Sequence, residues 1–257
     1  MIPNPSLSML GGDGTPVLLI HGYGSDQHSW VATAPALFAC AQVWVLDLPA
    51  HGTSATQCGD GSPHTLANSI LAALDRANIK KLHLIGHSLG GRIAMEMATL
   101  RPYQILSLGL LSPAGVNESI NLDFLTRFYQ ANSEDTVSKL LSMLVHDPRL
   151  IAPKLASAVL HYLQKPGVRS SLATICAALN EASTSRTKTL SSLNSMNIPT
   201  ISIWGLQDKI NAPEELAIKE LEGIAKMLDN CGHLPHIEKR TKVNELLCAF
   251  ISKHQAL

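Results

Sequence analysis

The chain alternates short apolar runs with longer segments that have one apolar face. The apolar runs indicate buried strands at residues 16–20, 42–47 and 81–86 and further strands at 105–111, 199–205 and 223–228, with one more short strand expected near 6–10. The segments with one apolar face indicate helices at 30–38, 64–77, 89–100 and 242–254. Strands that alternate with helices build a mostly parallel sheet covered on both faces. We therefore predict an α/β fold.

One of these strands passes into a helix through a single serine. The stretch LIGHSLGGRIAMEMA, residues 84–98, begins as a strand and ends as a helix, and Ser88 lies at the join. Gly86 and Gly90 leave room for a sharp turn in which side chains would collide. Such a turn lifts the serine hydroxyl clear of the sheet, and the helix that begins at Leu89 adds its positive dipole end. The pattern predicts that Ser88 is a nucleophile.

A serine nucleophile needs a base to take its proton and a group that orients the base. With a turn of this kind, the order along the chain is serine, acid, histidine. Asp208 follows strand 199–205 and His233 follows strand 223–228, so both lie at strand carboxyl ends, as Ser88 does. We predict that His233 is the base and that Asp208 orients it.

Other residues compete for these two roles. Asp47 and Asp229 also follow strands, but Asp47 precedes the serine in the chain and Asp229 is close to its own strand. His236 is the rival base, although the Gly-His pair directly after a strand favours His233. Histidines near loops more often brace them by hydrogen bonding. We expect that role for His21, His51 and His87.

Acyl chemistry also needs two backbone N–H donors for the oxyanion. We expect one from Leu89, directly after the serine, and the other from Tyr23 in the loop HGYGSDQHSW, residues 21–30. Neither G-x-G-x-x-G nor G-x-x-x-x-G-K-[ST] is present, which disfavours nucleotide binding. Cys231, His233 and His236 have a metal-like spacing without a fourth ligand, so we expect no metal and no cofactor.

The alternation of strands and helices breaks between residues 113 and 196, where only helical patterns occur. We divide the chain into a first core segment, residues 1–112, a helical cap, 113–196, and a second core segment, 197–257. The insertion follows a strand end, and strand carboxyl ends face the binding crevice of such sheets. We expect the cap to cover Ser88 and exclude water, the alternative being a helical hairpin away from the site.

Composition limits the classes of partner. Lys plus Arg and Asp plus Glu number 20 each, so no net field attracts nucleic acid or an anionic membrane. The first ten residues have neither a basic region nor a long apolar run, and we expect neither a signal peptide nor an anchor. Five cysteines lack paired spacing, which favours reduced thiols and a cytoplasmic protein.

Five motifs of the chain resemble those of the α/β-hydrolase superfamily in order and spacing: HGYG, LDLPAHGTS, GHSLGG, WGLQDKI and CGHLPHIE. The resemblance implies Ser88, Asp208 and His233 as a triad and Tyr23 and Leu89 as oxyanion donors. A narrower set, including CGDGSPHTLA and LSPAGVNESINLDFLTRF, resembles the hydrolase-like subunit associated with acetoin dehydrogenase, labelled a dihydrolipoamide acetyltransferase. Members of that group often carry a lipoyl domain, for which the few residues before the first strong strand leave no room.

These features predict a serine esterase or thioesterase that cleaves a small to medium acyl substrate. The alternatives are acyl transfer to a thiol, as the acetoin-system resemblance implies, and carbon–carbon bond hydrolysis of a diketone. From another class, a binding protein could retain the fold and use the cap as a lid. The apolar cap helices leave open a homodimer, and the resemblance leaves open association with a dehydrogenase complex.

Overall fold

A computed structural model describes residues 3–54, 56–116, 120–183 and 186–255 of the chain. Seven strands form one sheet in the order β1-β3-β2-β4-β5-β6-β7. Their bounds are Leu7–Gly11 (β1), Pro16–Ile20 (β2), Gln42–Leu46 (β3), Leu82–His87 (β4), Ile105–Leu111 (β5), Thr200–Gly205 (β6) and Ile224–Leu228 (β7). β1 is antiparallel to β3, and every other neighbouring pair is parallel. The predicted α/β fold with a mostly parallel sheet is confirmed.

The helices largely occupy the predicted segments. Their bounds are Ala34–Leu37 (α1), Pro63–Arg76 (α2), Leu89–Leu100 (α3), Leu122–Gln130 (α4), Glu134–Met143 (α5), Leu155–Leu163 (α6), Val168–Ser183 (α7), Arg186–Ser195 (α8), Glu215–Glu220 (α9), Pro235–Glu238 (α10) and Arg240–Lys253 (α11). The helix expected at 30–38 is instead a 3-10 turn, Gln27–Trp30, followed by the short α1. The Asp26 side chain caps the turn, and Pro35 lacks the N–H that would continue a helix through it.

Alternate residues of the strands pack on opposite faces of the sheet. Leu18 and Ile20 of β2 belong to one buried cluster, whereas Val17 and Leu19 belong to another. The first cluster includes α2, α3 and residues of α4 to α8, and the second includes α1 and α11. Burial on both faces of the sheet explains why β2, β4, β5 and β6 are buried almost throughout, whereas the edge strands β1 and β7 are mostly exposed.

Five helices, α4 to α8, lie between β5 and β6, where only helical patterns were predicted. Residues 117–119 and 184–185 of the predicted cap lie outside the described residues. The segment 150–164 is helical only from Leu155, because Pro153 disfavours helical backbone at the residue before it. In the described ranges, no helix combines the length and apolar character that crossing a bilayer requires.

Candidate active site

Ser88 occupies a strained turn between β4 and α3. Its backbone has φ 51° and ψ −114°, a conformation that residues with side chains rarely adopt. The Ser88 N–H donates to the Leu111 carbonyl at 2.9 Å, and the Ser88 carbonyl accepts from the Ala114 N–H at 3.0 Å. A Cβ on Gly90 would lie 2.1 Å from the Ile20 carbonyl oxygen, so only glycine lets α3 approach β2 this closely.

Asp208 and His233 form a buried pair beside this turn. The His233 Nδ1 lies 2.7 Å from Asp208 Oδ2, and both side chains are almost fully buried. The other oxygen, Asp208 Oδ1, accepts from the N–H groups of Ile210 and Asn211 at 2.8 and 2.9 Å. A carboxylate beside Nδ1 holds the proton there, which leaves Nε2 as the acceptor.

Opposing effects set the charge of this pair. Burial alone would raise the pKa of Asp208, but the charge and hydrogen bond of His233 outweigh burial with the help of two backbone donors. The net result is a pKa below the ordinary value of an aspartate, so Asp208 is a carboxylate at neutral pH. It can therefore stabilise an imidazolium on His233 when that ring takes a proton.

Ser88 and His233 line the same cavity. The Ser88 hydroxyl has no hydrogen bond to any described residue. Catalytic hydrogen bonds of this type are often long in the empty enzyme and shorten when substrate binds. The structure thus brings the three predicted residues to one place, with the Asp208–His233 contact formed.

The two predicted oxyanion donors have N–H groups without partners. Neither the Tyr23 N–H nor the Leu89 N–H is hydrogen-bonded to a residue that the structure describes. The backbone of Gly22 lies against the serine, since a Cβ there would be 3.3 Å from Ser88 Cβ. Two N–H groups near the nucleophile can donate hydrogen bonds to a developing oxyanion.

The rival acids have other partners. Asp47 accepts hydrogen bonds from the backbone and side chains of Gln27 and Thr53, which ties the loops after β2 and β3 together. Asp229 is exposed and accepts from Gln207 Nε2 at 3.0 Å. Neither is hydrogen-bonded to His233, whose ring partner is Asp208.

Three histidines brace loops, as predicted. His21 Nε2 accepts from the Leu48 N–H at 3.0 Å, His51 Nδ1 donates to the Pro49 carbonyl at 2.9 Å, and His87 Nε2 donates to the His233 carbonyl at 2.8 Å. Burial lowers the pKa of all three rings, that of His51 to about 3. These imidazoles are neutral structural groups at pH 7.

The rival base His236 is fully buried and stacks between two rings. Its centroid lies 4.7 Å from that of Trp30 and 4.8 Å from that of His87. Both of its ring nitrogens are without a hydrogen-bond partner among the described residues. Burial lowers the pKa of His236 to about 3.

Cys231 is also fully buried, and burial raises the pKa of its thiol to about 12, which suits a packing residue.

Glu238 is a residue of the site that the sequence interpretation missed. Its carboxylate accepts from the Gly232 N–H and from the His146 N–H, each at 2.7 Å. The His233 N–H in turn donates to the carbonyl of Leu144, just after α5, at 2.8 Å. These bonds fasten the loop of the histidine to the helices between β5 and β6. No local pattern of the sequence reports these bonds, because the His146 N–H lies 92 residues away from Glu238 in the chain.

The cavity at Ser88 has a volume of about 330 Å³ and is mostly apolar. Helices α4, α5 and α6 and their connections supply its apolar wall: Phe124, Leu125, Phe128, Leu141, Leu144, Ile151, Leu155 and Val159. Among the described residues that line it there is no lysine or arginine. Its size is at the lower end of ligand pockets, which run from about 300 to 1,000 Å³. The cavity suits a small or medium apolar group.

Residues 15–240 match the family described as alpha/beta hydrolase fold, and the chain belongs to that family. It is 35% identical over 246 residues to the dihydrolipoyllysine-residue acetyltransferase component of the acetoin cleaving system of Pseudomonas putida, covering 95% of this chain and 66% of that protein. The resemblance predicted from the motifs is confirmed at both levels.

Two other similarities bear on the fold. The chain is 24% identical over 258 residues to the monoacylglycerol lipase ABHD6 of Bos taurus, covering 94% of this chain and 76% of that protein. A meta-cleavage product hydrolase from Pseudomonas fluorescens superposes with a TM-score of 0.86 at 22% identity, covering 98% of each chain. Both similarities agree with the alpha/beta hydrolase fold of this family, and the chain spans about 66% of the length of the acetoin-system relative.

Proposed function

We propose that the protein is a serine esterase or thioesterase for small to medium aliphatic acyl groups. The observation that carries the proposal is the buried Asp208–His233 pair, which opens onto the same apolar cavity as Ser88. A hydrolase in this family needs such a pair to activate a serine hydroxyl. The apolar wall of the cavity, in which aliphatic side chains outnumber Phe124 and Phe128, supports an aliphatic acyl group.

In the first half-reaction, Ser88 Oγ attacks the acyl carbon while His233 Nε2 takes the hydroxyl proton. The carbonyl oxygen becomes an oxyanion to which the Tyr23 and Leu89 N–H groups donate hydrogen bonds, and Asp208 stabilises the imidazolium. The bond from carbon to the leaving oxygen or sulfur then breaks. The leaving group receives the proton from His233, and the acyl group remains as an ester on Ser88.

In the second half-reaction, water attacks the acyl-enzyme and His233 takes one of its protons. The bond from the acyl carbon to Ser88 Oγ breaks, and His233 returns the proton to that oxygen. The products are the carboxylic acid and the regenerated enzyme. The cap residues that line the cavity support this step by limiting bulk water around the intermediate.

The proposal is tested by steady-state hydrolysis of p-nitrophenyl acetate, butyrate and octanoate. We expect turnover by the wild type, and turnover by Ser88→Ala reduced to the uncatalysed rate with an unchanged circular dichroism spectrum. Undiminished turnover in the variant would overturn the proposal, because it would place the chemistry elsewhere.

Acyl transfer to a thiol is the second candidate, and the 35% identity to the acetoin-system acetyltransferase component favours it. Here a thiol replaces water in the second half-reaction, and a thioester replaces the carboxylic acid as product. Dihydrolipoamide added to the same assay separates the two. A thioester product and faster release of the acyl group would favour transfer, and an unchanged rate with only free acid would favour hydrolysis.

A further inference from the structure

The loop that carries His233, residues 229–234, contains no helix or strand of its own. It lies between β7 and α10, so groups outside the loop must fix its shape. On one side, the Cys231 N–H donates to Gln207 Oε1 at 2.9 Å, and the Gln207 N–H donates to the Cys231 carbonyl at 2.9 Å. Gln207 directly precedes Asp208, so these two bonds join the loop of the base to the loop of the acid.

On the other side, Glu238 joins the same loop to the segment 144–146, which follows α5. The Glu238 Oε1 accepts from the Gly232 N–H, and its Oε2 accepts from the His146 N–H, each at 2.7 Å. A carboxylate has two accepting oxygens, and here each of them serves a different backbone segment. Glu238 therefore bridges the catalytic loop and the helices between β5 and β6.

The segment 144–146 also contacts the catalytic loop through its backbone. The His233 N–H donates to the carbonyl of Leu144 at 2.8 Å, and the side chain of Leu144 lines the cavity at Ser88. A Cβ on Gly232 would lie 2.9 Å from three backbone atoms of the segment 144–146, which is closer than side chains approach. The absence of a side chain at Gly232 thus permits the close contact.

This contact bears on the distance between the base and the nucleophile. Proton transfer needs His233 Nε2 within about 2.6–3.2 Å of Ser88 Oγ. The carboxylate of Asp208 decides which ring nitrogen carries the proton, but one contact at Nδ1 leaves the ring free to pivot about it. The backbone of His233 therefore sets the distance, and a displacement of about 1 Å can cost about 10² in rate.

We propose that Glu238 is a positioning residue of the reaction, which keeps His233 in register with Ser88 by joining the catalytic loop to the segment 144–146. This rests on the proposed esterase function. Because Leu144 both lines the cavity and accepts from the His233 N–H, the wall that meets the acyl group and the backbone that carries the base form one unit.

Glu238→Gln tests this role, because the amide keeps the shape of the side chain but has one accepting oxygen. It can serve the Gly232 N–H or the His146 N–H, and the other bond is lost. We expect kcat for p-nitrophenyl butyrate to fall at least about tenfold, with KM within about twofold of the wild type, because His233 acts in both half-reactions. The pH dependence of kcat/KM should keep its shape, since the Asp208–His233 pair remains.

A second variant moves the loop while Glu238 is intact. In Gly232→Ala the added methyl group meets the backbone of the segment 144–146, so the loop and the segment must separate. Alanine can adopt the backbone conformation, because Gly232 does not have a positive φ. We expect the same loss of kcat with KM unchanged, and this variant decides the test where Glu238→Gln does not fold.

Two variants control for other effects. Val137 is fully buried on α5 and does not line the cavity, so Val137→Ala should lower the free energy of unfolding without changing kcat. Glu245 is exposed on α11, and Glu245→Gln should change neither quantity. Circular dichroism and urea unfolding give the folded fraction to which each kcat is normalised.

A folded Glu238→Gln or Gly232→Ala with kcat within about twofold of the wild type would overturn the positioning role and leave the esterase function standing. A loss of kcat in Val137→Ala equal to that in Glu238→Gln would do the same, because it would trace the loss to stability. Absence of Ser88-dependent hydrolysis by the wild type would overturn the esterase function itself.

Discussion

At the scale of single residues, the contact between Asp208 and His233 should decide activity. In Asp208→Asn an amide replaces the carboxylate beside His233 Nδ1. A proton on Nδ1 is then no longer stabilised by a hydrogen bond to a carboxylate, and the imidazolium loses its counter-charge. We expect kcat/KM for p-nitrophenyl butyrate to fall by about 10² to 10⁴. The measurement is steady-state hydrolysis beside a urea unfolding curve.

The rival acid offers a matched control for this prediction. Asp229→Asn changes an exposed carboxylate that accepts from the side-chain amides of Gln207 and Asn230. It should leave kcat/KM within twofold of the wild type. Equal losses of kcat/KM in Asp208→Asn and Asp229→Asn would contradict the assignment of Asp208 as the residue that orients His233.

The roles of residues that a local sequence pattern marks could be predicted. The roles of residues that depend on contacts with distant parts of the chain could not. Ser88, Asp208 and His233 follow strand ends that the apolar runs reveal, so their common location follows from a parallel sheet. Glu238 acts on the His146 N–H, 92 residues away in the chain, and no local signal reports such a bond. The stacking of His236 on Trp30 is equally long-range.

At the scale of elements, α5 should set the length of the acyl chain. Leu141 of α5 lines the cavity, so Leu141→Ala enlarges the space for the acyl group. We expect the ratio of kcat/KM for p-nitrophenyl decanoate to that for the butyrate to rise. The measurement is a chain-length series from acetate to dodecanoate.

Leu140→Ala is the control on the same helix. Leu140 is fully buried but does not line the cavity. Its truncation should lower the free energy of unfolding by about 2–5 kcal/mol without changing the preferred chain length. A shift of the same size in the preferred chain length of both variants would mean that the cap packs loosely and that Leu141 does not bound the pocket.

Element types were easier to predict than their ends and partners. The strands β2 and β5 have the predicted bounds, because their apolar runs end at polar or turn residues. α9 and α10 have only six and four residues, too few for a helical period to show in the sequence. The antiparallel pairing of β1 with β3 joins distant residues, so it could be seen only in the folded chain.

At the scale of the whole molecule, five buried histidines among the described residues should make stability fall in acid. Burial lowers the pKa values of His21, His51, His83, His87 and His236, that of His83 to about 4 and that of His236 to about 3. The unfolded chain titrates these rings near pH 6.5, so below that pH it binds protons that the folded chain does not. The free energy of unfolding should therefore decrease as pH falls below about 6.5.

Urea unfolding at a series of pH values between 7.5 and 5 measures this loss. His236→Phe keeps a ring against Trp30 and His87 but removes one titrating group. As pH falls, the free energy of unfolding of His236→Phe should decrease less steeply than that of the wild type. The two slopes should differ by up to about 1.4 kcal/mol per pH unit. An identical pH dependence in the two proteins would show that His236 does not resist protonation in the fold.

The central claim is that Ser88 is the nucleophile, and covalent labelling tests it most directly. The folded protein is treated with a fluorophosphonate, and the adduct is located by mass spectrometry of its peptides. We predict one adduct on Ser88, with labelling lost in Ser88→Ala and strongly slowed in His233→Ala. An unlabelled Ser88 in folded protein would contradict the account and favour a binding protein that keeps the fold.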